Sequence, residues 1–543
     1  MAGAPTAEFT VGEVHEAIAA TRPERECIVF RDRRLTWAEV TDRTRRLANY
    51  LNGRGLGCHV ERSAGLEGHE SGQDHLGIYL YNGNEYLEAM LGAFKGRVAP
   101  FNVNYRYVAE ELTYLLADAR PSGLVYHSRF APMLAAIVGD LPGIEVLLQV
   151  ADETDHPLLP GAVWYEDALA SASPEPPPPA SPDDLYILYT GGTTGMPKGV
   201  LWRQADALTE CMGGARDAVR VDDFVAAATG RRALLAPPFM HGAGHWMSFG
   251  TWNTGGTVFV QDDPGHLDPA DILGLVERER IEFLLIVGDS FARPLLDELD
   301  RKAYDLSSLA VVLSGGATLS AHYKDALLQH LPTAIVIDGL GSSEAGGQLA
   351  HVSTGGCAST GTFALTEGNH VLSDDLSREL SPGDPEIGWL AKSGRLALGY
   401  LGDRAKTQRT YPVVNGRRYV VPGDRARLTA DGMVQVLGRE AATINTGGEK
   451  VFAEEVESAL RQHPDVYDCI VTGRPSERWG QEVVAVVQLR EGSPATSADV
   501  LNEAARHIAR FKVPKLVVFV DRVVRSPSGK ADYRWARAVS AEA

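Results

Sequence analysis

Residues 188–200 read LYTGGTTGMPKGV, in which three glycines and three threonines stand close together before a proline and a lysine. Glycines allow positive φ angles and let backbone N–H groups approach a ligand without obstruction by Cβ. The threonine hydroxyls and the Lys198 ammonium add hydrogen-bond donors and a positive charge. The stretch is not a Walker A loop, because Met196 and Pro197 separate Gly195 from Lys198. It predicts a loop that binds phosphate groups, with a flexible surface turn as the alternative.

The charge of the chain is strongly acidic. Its 543 residues include 52 Lys and Arg against 71 Asp and Glu, a net charge of −19. Surfaces that bind nucleic acids or anionic membranes need clustered cations, so this balance argues against both as partners. Any anionic ligand must therefore be held by a local site.

The cysteines and the N-terminus predict a cytoplasmic protein. The five cysteines form no C-x-x-C pair, which suits a reducing compartment and indicates neither a disulfide framework nor a zinc site. Residues 1–20 lack the basic and apolar regions of a secretory signal. No run approaches the ~18 apolar residues that a membrane span needs.

Apolar runs alternate with amphipathic helical patterns along most of the chain. HLGIYLYN (75–82) and GLVYH (123–127) are typical of buried strands, and EELTYLLADA (110–119) is typical of a helix. This alternation predicts an α/β fold with layers around largely parallel sheets. The proline-rich segment 171–184 is predicted to be an extended linker.

A change of pattern near residue 438 predicts a second, smaller unit. Helical and strand-like segments follow one another from residue 451 to residue 520. We therefore predict a large N-terminal body (1–437), a hinge (438–441) and a small mobile α+β C-terminal cap (442–543).

Four further motifs carry candidate ligand-binding residues. DGLGSSEAGG (338–347) follows a strand and contains Glu344, a carboxylate that suits Mg²⁺ bound to phosphates. YVVPGDRARL (419–428) places Asp424 after a turn, where it would accept hydrogen bonds from ribose hydroxyls. GREAATINTGGEKVFAEEVE (438–457) and RSPSGKADYRWAR (525–537), with Lys530, follow. Each motif alone has an ordinary explanation as a turn, a helix cap or a solvated lysine.

The ordered set YTGGTTGMPKG, GSSE, VPGD, GRE…GGEKV and SPSGK resembles the adenylate-forming superfamily of acyl-CoA synthetases, peptide-synthetase adenylation domains and luciferases. Flanking stretches such as PPFMHGAGHW (237–246) resemble the actinobacterial fatty-acid and steroid-acid CoA ligases, and a closer resemblance is to the terpenoid-acid CoA ligases of the platensimycin and platencin pathway. The resemblance implies the fold of this superfamily, with a body and a mobile cap.

The resemblance also implies a two-step reaction with ATP, Mg²⁺ and coenzyme A. A carboxylate attacks the α-phosphate of ATP to give acyl-AMP, and the CoA thiol then displaces AMP. Lys530 would bridge the two anions of the first step, and Ser343 and Glu344 would contact the α-phosphate and Mg²⁺. The remaining implied contacts are Thr190, Gly191, Gly192, Thr193, Thr194, Gly195 and Lys198 for the β- and γ-phosphates; Gly315, Gly316, Ala317, Gly339, Leu340, Gly341 and Ser342 for adenine; Asp424 and Arg439 for ribose; and Gly447, Gly448, Glu449 and Lys450 for CoA.

Two positions depart from the pattern of the superfamily. Leu340 stands where many members carry a tyrosine that stacks on adenine, so an aromatic contact of about 1 kcal/mol would be lost. Ala441 stands at the hinge position, where Asp or Lys is usual. Both departures keep open an enzyme in which one half-reaction is impaired.

The acid substrate is predicted from PPFMHGAGHW. Amino-acid adenylating domains place an aspartate here to pair with the substrate ammonium, and this chain has none, which argues against an amino acid. His241 would lie at the mouth of the acyl pocket, and a roomy apolar interior is predicted from Gly242, Gly244, Trp246 and Met247. Ordinary core packing is the alternative for His241 and Trp246.

The leading hypothesis is therefore an ATP-dependent CoA ligase for a bulky or long apolar carboxylic acid. Three alternatives remain: an enzyme that mainly carries out thioester formation from a supplied acyl-adenylate, an enzyme that transfers the acyl group to a carrier protein, and an inactive acyl- or nucleotide-binding protein. The sequence leaves the oligomeric state open, with a homodimer as one arrangement.

Overall fold

The structure is a computed structural model, and it describes residues 7–141, 143–192, 195–355, 361–446, 449–476, 479–526 and 529–543. Within these residues the α-helices are α1 (Val11–Thr21), α2 (Trp37–Gly53), α3 (Asn84–Lys95), α4 (Ala109–Ala119), α5 (Ala131–Ala135), α6 (Tyr165–Ser171), α7 (Gln204–Glu210), α8 (Val221–Ala226), α9 (Gly242–Asn253), α10 (Pro269–Arg278), α11 (Gly288–Leu299), α12 (Ala321–His330), α13 (Arg404–Thr410), α14 (Ala453–Leu460), α15 (Ser497–His507) and α16 (Tyr533–Glu542).

The strands of the same residues are β1 (Glu26–Phe30), β2 (Arg33–Thr36), β3 (His75–Tyr79), β4 (Ala99–Asn102), β5 (Gly123–His127), β6 (Val146–Val150), β7 (Val163–Trp164), β8 (Leu185–Gly192), β9 (Gly195–Arg203), β10 (Arg232–Leu235), β11 (Thr257–Val260), β12 (Phe283–Ile286), β13 (Val311–Gly315), β14 (Ile335–Ser342), β15 (Gly346–Ser353), β16 (Thr362–Ala364), β17 (Asn369–Leu372), β18 (Gly388–Ser393), β19 (Gly399–Tyr400), β20 (Val413–Val414), β21 (Arg417–Val420), β22 (Asp424–Leu428), β23 (Met433–Arg439), β24 (Thr443–Thr446), β25 (Glu449–Phe452), β26 (Val466–Ser476), β27 (Gly480–Leu489) and β28 (Leu516–Phe519).

Two sheets, each of eight strands in the described part of the chain, form the centre of the body. Their strand orders are β15-β14-β13-β12-β10-β11-β1-β2 and β19-β9-β8-β4-β3-β5-β6-β7. The inner strands run parallel, and the antiparallel pairs β14–β15 and β8–β9 lie toward one end of each sheet. Helices cover both faces of a parallel sheet, which explains why every residue of β3 and of β12 is buried.

The main apolar core lies between these two sheets and includes the fully buried rings of Trp37, Trp202 and Trp252. Two of the helices in this layer begin at capping boxes. Thr10 accepts from the backbone N–H of Glu13, and Thr36 pairs in the same way with Glu39. Such caps satisfy N–H groups that have no partner within the first turn of a helix. They explain why α1 begins directly after Thr10 and α2 directly after Thr36.

A third sheet and the cap complete the chain. The third sheet has the order β16-β23-β22-β18-β21-β20, with β17 paired to β18, and the cap sheet has the order β25-β24-β27-β26, with β28 paired to β27. The cap has an apolar cluster of its own, in which Val471, Val483 and Val500 are buried. A short 3-10 turn, Glu440–Ala442, connects β23 to the cap.

The predicted fold class, an α/β body of layered subdomains with a small α+β cap, is confirmed. Helix α4 and strand β5 match the predicted segments 110–119 and 123–127 within one residue. Residues 172–184, which the structure describes throughout, form neither helix nor strand. The boundaries at residues 437 and 442 stay a prediction. Among the helices of the described residues, none has the length and hydrophobicity that crossing a bilayer requires.

Two sequence interpretations need correction. The stretch 188–200 is not a free loop, because β8 continues to Gly192 and β9 resumes at Gly195, so that most of it is an antiparallel hairpin. Likewise, residues 338–342 lie within β14 rather than after it, because β15 pairs with them. Only the short turn between β14 and β15 carries Ser343 and Glu344. In both cases an antiparallel partner strand extends the element past the point where the glycines suggested that it ends.

Candidate active site

The hairpin of β8 and β9 fixes the register of the glycine-rich stretch. Thr190 lies opposite Lys198, and Gly192 lies opposite Gly195. Gly191 continues β8. Thr193 and Thr194, which follow Gly192 in the sequence, lie outside the described residues. The strand pairing therefore holds Lys198 at a set distance below the tip.

Lys198 lies between two carboxylates. Its Nζ is 3.7 Å from Oδ1 of Asp118 and 4.0 Å from Oδ2 of Asp403, and 6.0 Å from the ring centroid of Tyr114. Burial favours a lower pKa for Lys198, but hydrogen bonding with Tyr114 and the two carboxylates outweigh it and raise the pKa. The ammonium is therefore charged and half-buried beneath the hairpin tip.

The turn between β14 and β15 is held from two sides at Ser343 and Glu344. Nε1 of Trp202 donates to the carbonyl of Ser343 at 2.9 Å. The Tyr400 hydroxyl donates to Oε1 of Glu344 at 2.8 Å. Nζ of Lys406 lies 4.0 Å from the ring centroid of Tyr400, which places a cation beside the same carboxylate. These contacts fix both the backbone and the side chain of Glu344.

A buried ion pair supports the same turn from beneath. Nζ of Lys392 on β18 lies 2.7 Å from Oε2 of Glu210, and both side chains are only 4% exposed. The same ammonium donates to the carbonyls of Ala345 at 2.8 Å and Gly347 at 2.6 Å. Lys392 therefore satisfies three acceptors at once and anchors the backbone immediately after Glu344.

The ribose candidates are cross-strand neighbours. Asp424 begins β22 and Arg439 ends β23, where the two residues face each other in the strand register. Nε of Arg439 lies 3.2 Å from Oδ1 of Asp424. Asp424 raises the pKa of Arg439 against the effect of burial, and Glu344 adds to the rise. Asp424, Arg439 and Glu344 therefore belong to one electrostatic cluster.

Lys530 enters this cluster from the cap. A Cβ added to Gly316 would lie 3.9 Å from Cε of Lys530, which places the lysine beside the end of β13. Desolvation by the surrounding protein lowers the pKa of Lys530, although the residue keeps an exposed surface. Repulsion by Arg439 acts in the same direction, whereas Glu344 and Asp424 oppose it. Lys530 of the cap therefore belongs to the same electrostatic cluster as Arg439, Glu344 and Asp424.

The adenine candidates follow from the pairing of β13 with β14. Gly315 pairs with Gly339, and Gly316, with φ of +89°, turns the chain away from the sheet. The half-buried Leu340 packs against the apolar cluster of the third sheet. The full predicted set lies at this strand end: Gly315, Gly316, Ala317, Gly339, Leu340, Gly341 and Ser342.

Helix α9 begins at the predicted acyl pocket. His241 is its N-cap residue, and burial together with repulsion by Lys530 lowers the pKa of His241 to about 3. Trp246 and Met247 lie half-buried in the same helix. A Cβ on Gly242 would lie 3.2 Å from Trp246, whereas a Cβ on Gly244 would lie 2.5 Å from the carbonyl of Pro238. Gly244 thus serves close backbone packing rather than pocket volume.

A buried hydrogen-bond chain lies beneath α9. Nε1 of Trp246 donates to the hydroxyl of Tyr186 at 2.9 Å, and that hydroxyl is hydrogen-bonded to Nε2 of His245. Nδ1 of His245 is 2.6 Å from the carbonyl of Phe239. Burial lowers the pKa of His245 to about 4, so the ring is neutral. The chain fixes the Trp246 ring through its nitrogen.

The neutral state of His245 predicts acid sensitivity. A free histidine has a pKa of about 6.5, so between that value and about 4 the unfolded chain binds a proton that the folded chain does not. The contribution of neutral His245 to the unfolding free energy is fully present above pH ~6.5 and is lost as the pH falls toward 4. Between pH 7 and pH 5 the wild-type chain should lose about 2 kcal/mol of unfolding free energy through His245. Urea unfolding of His245→Gln should show a smaller difference between these two pH values, and an unchanged difference would contradict the neutral buried ring.

The CoA and hinge candidates lie on the cap side of the chain. Glu449 and Lys450 are exposed on the β24–β25 hairpin, and Nζ of Lys450 is 3.0 Å from Oε1 of Glu440. Gly447 and Gly448 lie outside the described residues. The backbone of Ala441 belongs to the 3-10 turn Glu440–Ala442.

Two family models match this chain, one in the N-terminal body and one in the C-terminal cap. The model of the AMP-binding enzyme family matches residues 15–401, and the model of the AMP-binding enzyme C-terminal domain matches residues 455–530. The chain belongs to the AMP-binding enzyme family. The predicted resemblance to the adenylate-forming superfamily is thereby confirmed.

Relatives of this AMP-binding enzyme align over nearly its whole length. The medium-chain acyl-CoA ligase Mig of Mycobacterium avium is 52% identical and covers 98% of each chain. The 3-oxocholest-4-en-26-oate CoA ligase of Rhodococcus rhodochrous is 39% identical over 95% of this chain and 93% of its own. The crystal structure of the anthranilate CoA ligase AuaEII with anthranoyl-AMP has a TM-score of 0.83 at 21% identity and covers 98% of both chains, a likeness of fold alone. The narrower resemblance to terpenoid-acid ligases stays a prediction.

The structure adds residues that the sequence reasoning missed. Tyr400, Lys392 and Trp202 contact the Glu344 turn, and Asp118 and Tyr114 flank Lys198. The motif LALGYLGD (396–403) around Tyr400 carried a signal, since its Gly-Tyr pair follows an apolar run. Lys392 carried none, because a lone lysine in an apolar strand gives no hint of its partners.

Proposed function

We propose that this AMP-binding enzyme is an acyl-CoA ligase that joins an apolar carboxylic acid to CoA through an acyl-adenylate. The observation that carries the proposal is the cluster of Lys530, Glu344, Asp424 and Arg439, in which a cap lysine joins two body carboxylates and the hinge residue Arg439. The names of the relatives, a medium-chain acyl-CoA ligase and a steroid-acid CoA ligase, support this chemistry and an apolar acid.

In the first step a carboxylate oxygen of the acid attacks the α-phosphorus of ATP, and the bond to pyrophosphate breaks. Lys530 would stabilise the negative charge that builds between the two anions. Lys198 and the hairpin tip would hold the leaving pyrophosphate, and Asp424 with Arg439 would hold the ribose. Glu344 offers a carboxylate oxygen beside the phosphates, which fits Mg²⁺, and that ion supplies charge neutralisation when bound.

In the second step the CoA sulfur attacks the acyl carbonyl, and AMP leaves with the former carboxylate oxygen. The Glu449–Lys450 hairpin is proposed to contact CoA after the cap rotates about the Glu440–Ala442 turn. The proposed acyl site starts at the neutral His241, whose uncharged ring does not compete with Lys530 for the carboxylate. The cytoplasmic location and the homodimer stay predictions.

Pyrophosphate release tests the proposal across an acid panel. The panel contains acetic acid, octanoic acid, palmitic acid, a steroid side-chain acid and phenylalanine, each with CoA, with a phosphopantetheinylated carrier protein, or with neither. We expect release and CoA thioester formation with octanoic or a larger apolar acid, and none with phenylalanine. Thioester on the carrier alone would indicate the carrier-transfer alternative. Thioester only from supplied octanoyl-adenylate would indicate the thioesterification-only enzyme, and no activity would indicate a binding protein.

Tyr400→Phe is expected to slow acyl-adenylate formation about tenfold and to raise the Mg²⁺ concentration that half-saturates the rate. A hydrogen bond to a charged group contributes about 1.5–3 kcal/mol, and its loss frees the Glu344 carboxylate to move. Tyr411→Phe is the matched control, because the Tyr411 ring lies 6.3 Å from that of Tyr400 and its hydroxyl has no hydrogen-bond partner within the described residues. Equal effects of the two substitutions on the Mg²⁺ dependence would contradict the assigned role of Tyr400.

A further inference from the structure

A buried carboxylate of the cap is shared between the body and the cap. Asp468 lies on β26, and its Oδ2 is 3.3 Å from Nη2 of Arg293 on α11 of the body. The side chains of Arg293 and Asp468 are only 4% and 6% exposed. A charge this deeply buried is tolerated only when it is paired, and the cap supplies such a partner to Arg293 of the body.

The same carboxylate binds the base of the Lys530 loop. Arg525 donates two hydrogen bonds to Asp468, from Nε to Oδ2 and from Nη2 to Oδ1, each 2.7 Å long. Nη1 of Arg525 donates to the carbonyl of Gly529 at 3.1 Å, directly before Lys530. Arg525 also forms an antiparallel bridge with Ala531. A continuous path of contacts therefore runs from α11 through Asp468 and Arg525 to Lys530.

Neighbouring contacts orient the same surface of the cap on α11. The Tyr467 ring stacks under the Arg293 guanidinium at 4.3 Å, and its hydroxyl donates to Asp297 at 3.2 Å. Nε of Arg461 lies 3.6 Å from Oδ2 of Asp289 at the start of α11. Helix α11 thus meets the cap at three successive turns.

We propose that Asp468 is a positioning residue that sets the place of Lys530 when the cap docks on α11, because it is held by Arg293 of the body and Arg525 of the cap at once. The inference rests on the role proposed above for Lys530 in acyl-adenylate formation. Arg293 is the corresponding positioning residue of the body, because it holds Asp468 and thereby Lys530 in place.

The charges around Asp468 fit this arrangement. Burial alone would raise the pKa of Asp468, but hydrogen bonding to Arg525 and the charges of Arg525, Arg293 and Arg461 lower it well below its usual range. The carboxylate is therefore ionised throughout the working pH range. It binds Arg525 within the cap and Arg293 of the body at once, in the cap orientation that places Lys530 beside Gly316.

The consequence is a difference between the two half-reactions. Acyl-adenylate formation needs Lys530 in place, and a displacement of about 1 Å in a positioned group lowers a rate by about 10²-fold. Thioester formation from a supplied adenylate would follow the proposed cap rotation and would not use this contact. An ion pair that merely stabilised the fold would affect both half-reactions in parallel.

Arg293→Met tests the inference, because it removes the body contact and leaves the Arg525–Asp468 pair inside the cap. Pyrophosphate exchange with octanoic acid reports acyl-adenylate formation, and CoA consumption with supplied octanoyl-adenylate reports the second step. We expect exchange to fall about 10²-fold and CoA consumption to stay unchanged. Arg293→Lys should recover part of the loss, since it restores the charge.

Arg490→Met is the matched control. Nη1 of Arg490 is 3.9 Å from Asp297 at the same interface, but its side chain is 41% exposed, and exposed ion pairs contribute little. Both half-reactions should stay at the wild-type rate.

If Arg293→Met fails to fold, Asp468→Asn takes its place, since it keeps the size of the side chain and removes its charge. The same selective loss is expected.

A parallel loss in both half-reactions, or no loss in either, would overturn the inference. Failure of the proposed function would give a different result, because the wild-type enzyme would then show no pyrophosphate exchange with any acid of the panel. If wild-type exchange is present and Lys530→Ala abolishes it, while Arg293→Met exchanges normally, only the positioning role of Asp468 is wrong.

Discussion

Lys530→Ala is expected to lower the rate of acyl-adenylate formation by about 10²–10³-fold, because it removes a positioned charge from the transition state of the first step. The lysine lies beside Gly316 and shares one electrostatic cluster with Glu344, Asp424 and Arg439. Its contribution grows as the two anions meet, so the loss should appear in the rate constant more than in the affinity for ATP.

Pyrophosphate exchange with octanoic acid measures this rate, and thioester formation from supplied octanoyl-adenylate measures the second step. The second step should be nearly unaffected, because the proposed cap rotation removes Lys530 from the cleft before CoA attacks. Lys515→Ala is a suitable control, since Lys515 lies in the same cap outside this cluster and its backbone N–H pairs with Val483. An equal loss in both half-reactions of Lys530→Ala would refute the assignment.

The Lys530 loop shows how far sequence reasoning reaches. Motifs on distant parts of the chain predicted that Lys530, Glu344 and Asp424 act together, and the structure places the three in one electrostatic cluster. The alternation of strand-like and helical patterns predicted β5 and α4 almost to the residue, because β5 is a buried apolar run and α4 buries one apolar face. Patterns of this kind depend only on residues that are close together in the sequence.

The supporting residues could not be predicted in the same way. Tyr400, Lys392 and Trp202 reach the Glu344 turn from three different strands, and their spacing along the chain carries no period. Their roles depend on which strands become neighbours, and only the folded sheet order decides that. The hairpin at 188–200 was interpreted as a loop for the same reason, because its glycines gave no indication that β8 pairs with β9.

Lys392→Met is expected to lower the unfolding free energy by about 3–5 kcal/mol, because it leaves Glu210 buried without its lysine partner. Nη2 of Arg216 also lies 2.7 Å from Glu210, but it is largely exposed and compensates only in part. The carbonyls of Ala345 and Gly347 lose their donor as well. Urea unfolding measures the change, with Lys406→Met as a control at a lysine that is only partly buried.

The double variant Glu210→Gln with Lys392→Met separates stability from positioning. Removing both charges removes the buried carboxylate that has lost its lysine partner, so the double variant should unfold at a higher urea concentration than the single one. Acyl-adenylate formation should stay slow in both variants, because each lacks the ammonium that holds Ala345 and Gly347 and thereby the Glu344 turn. If stability and rate recovered together, Lys392 would act only through the folded state; a recovery of stability alone assigns it to the placement of Glu344.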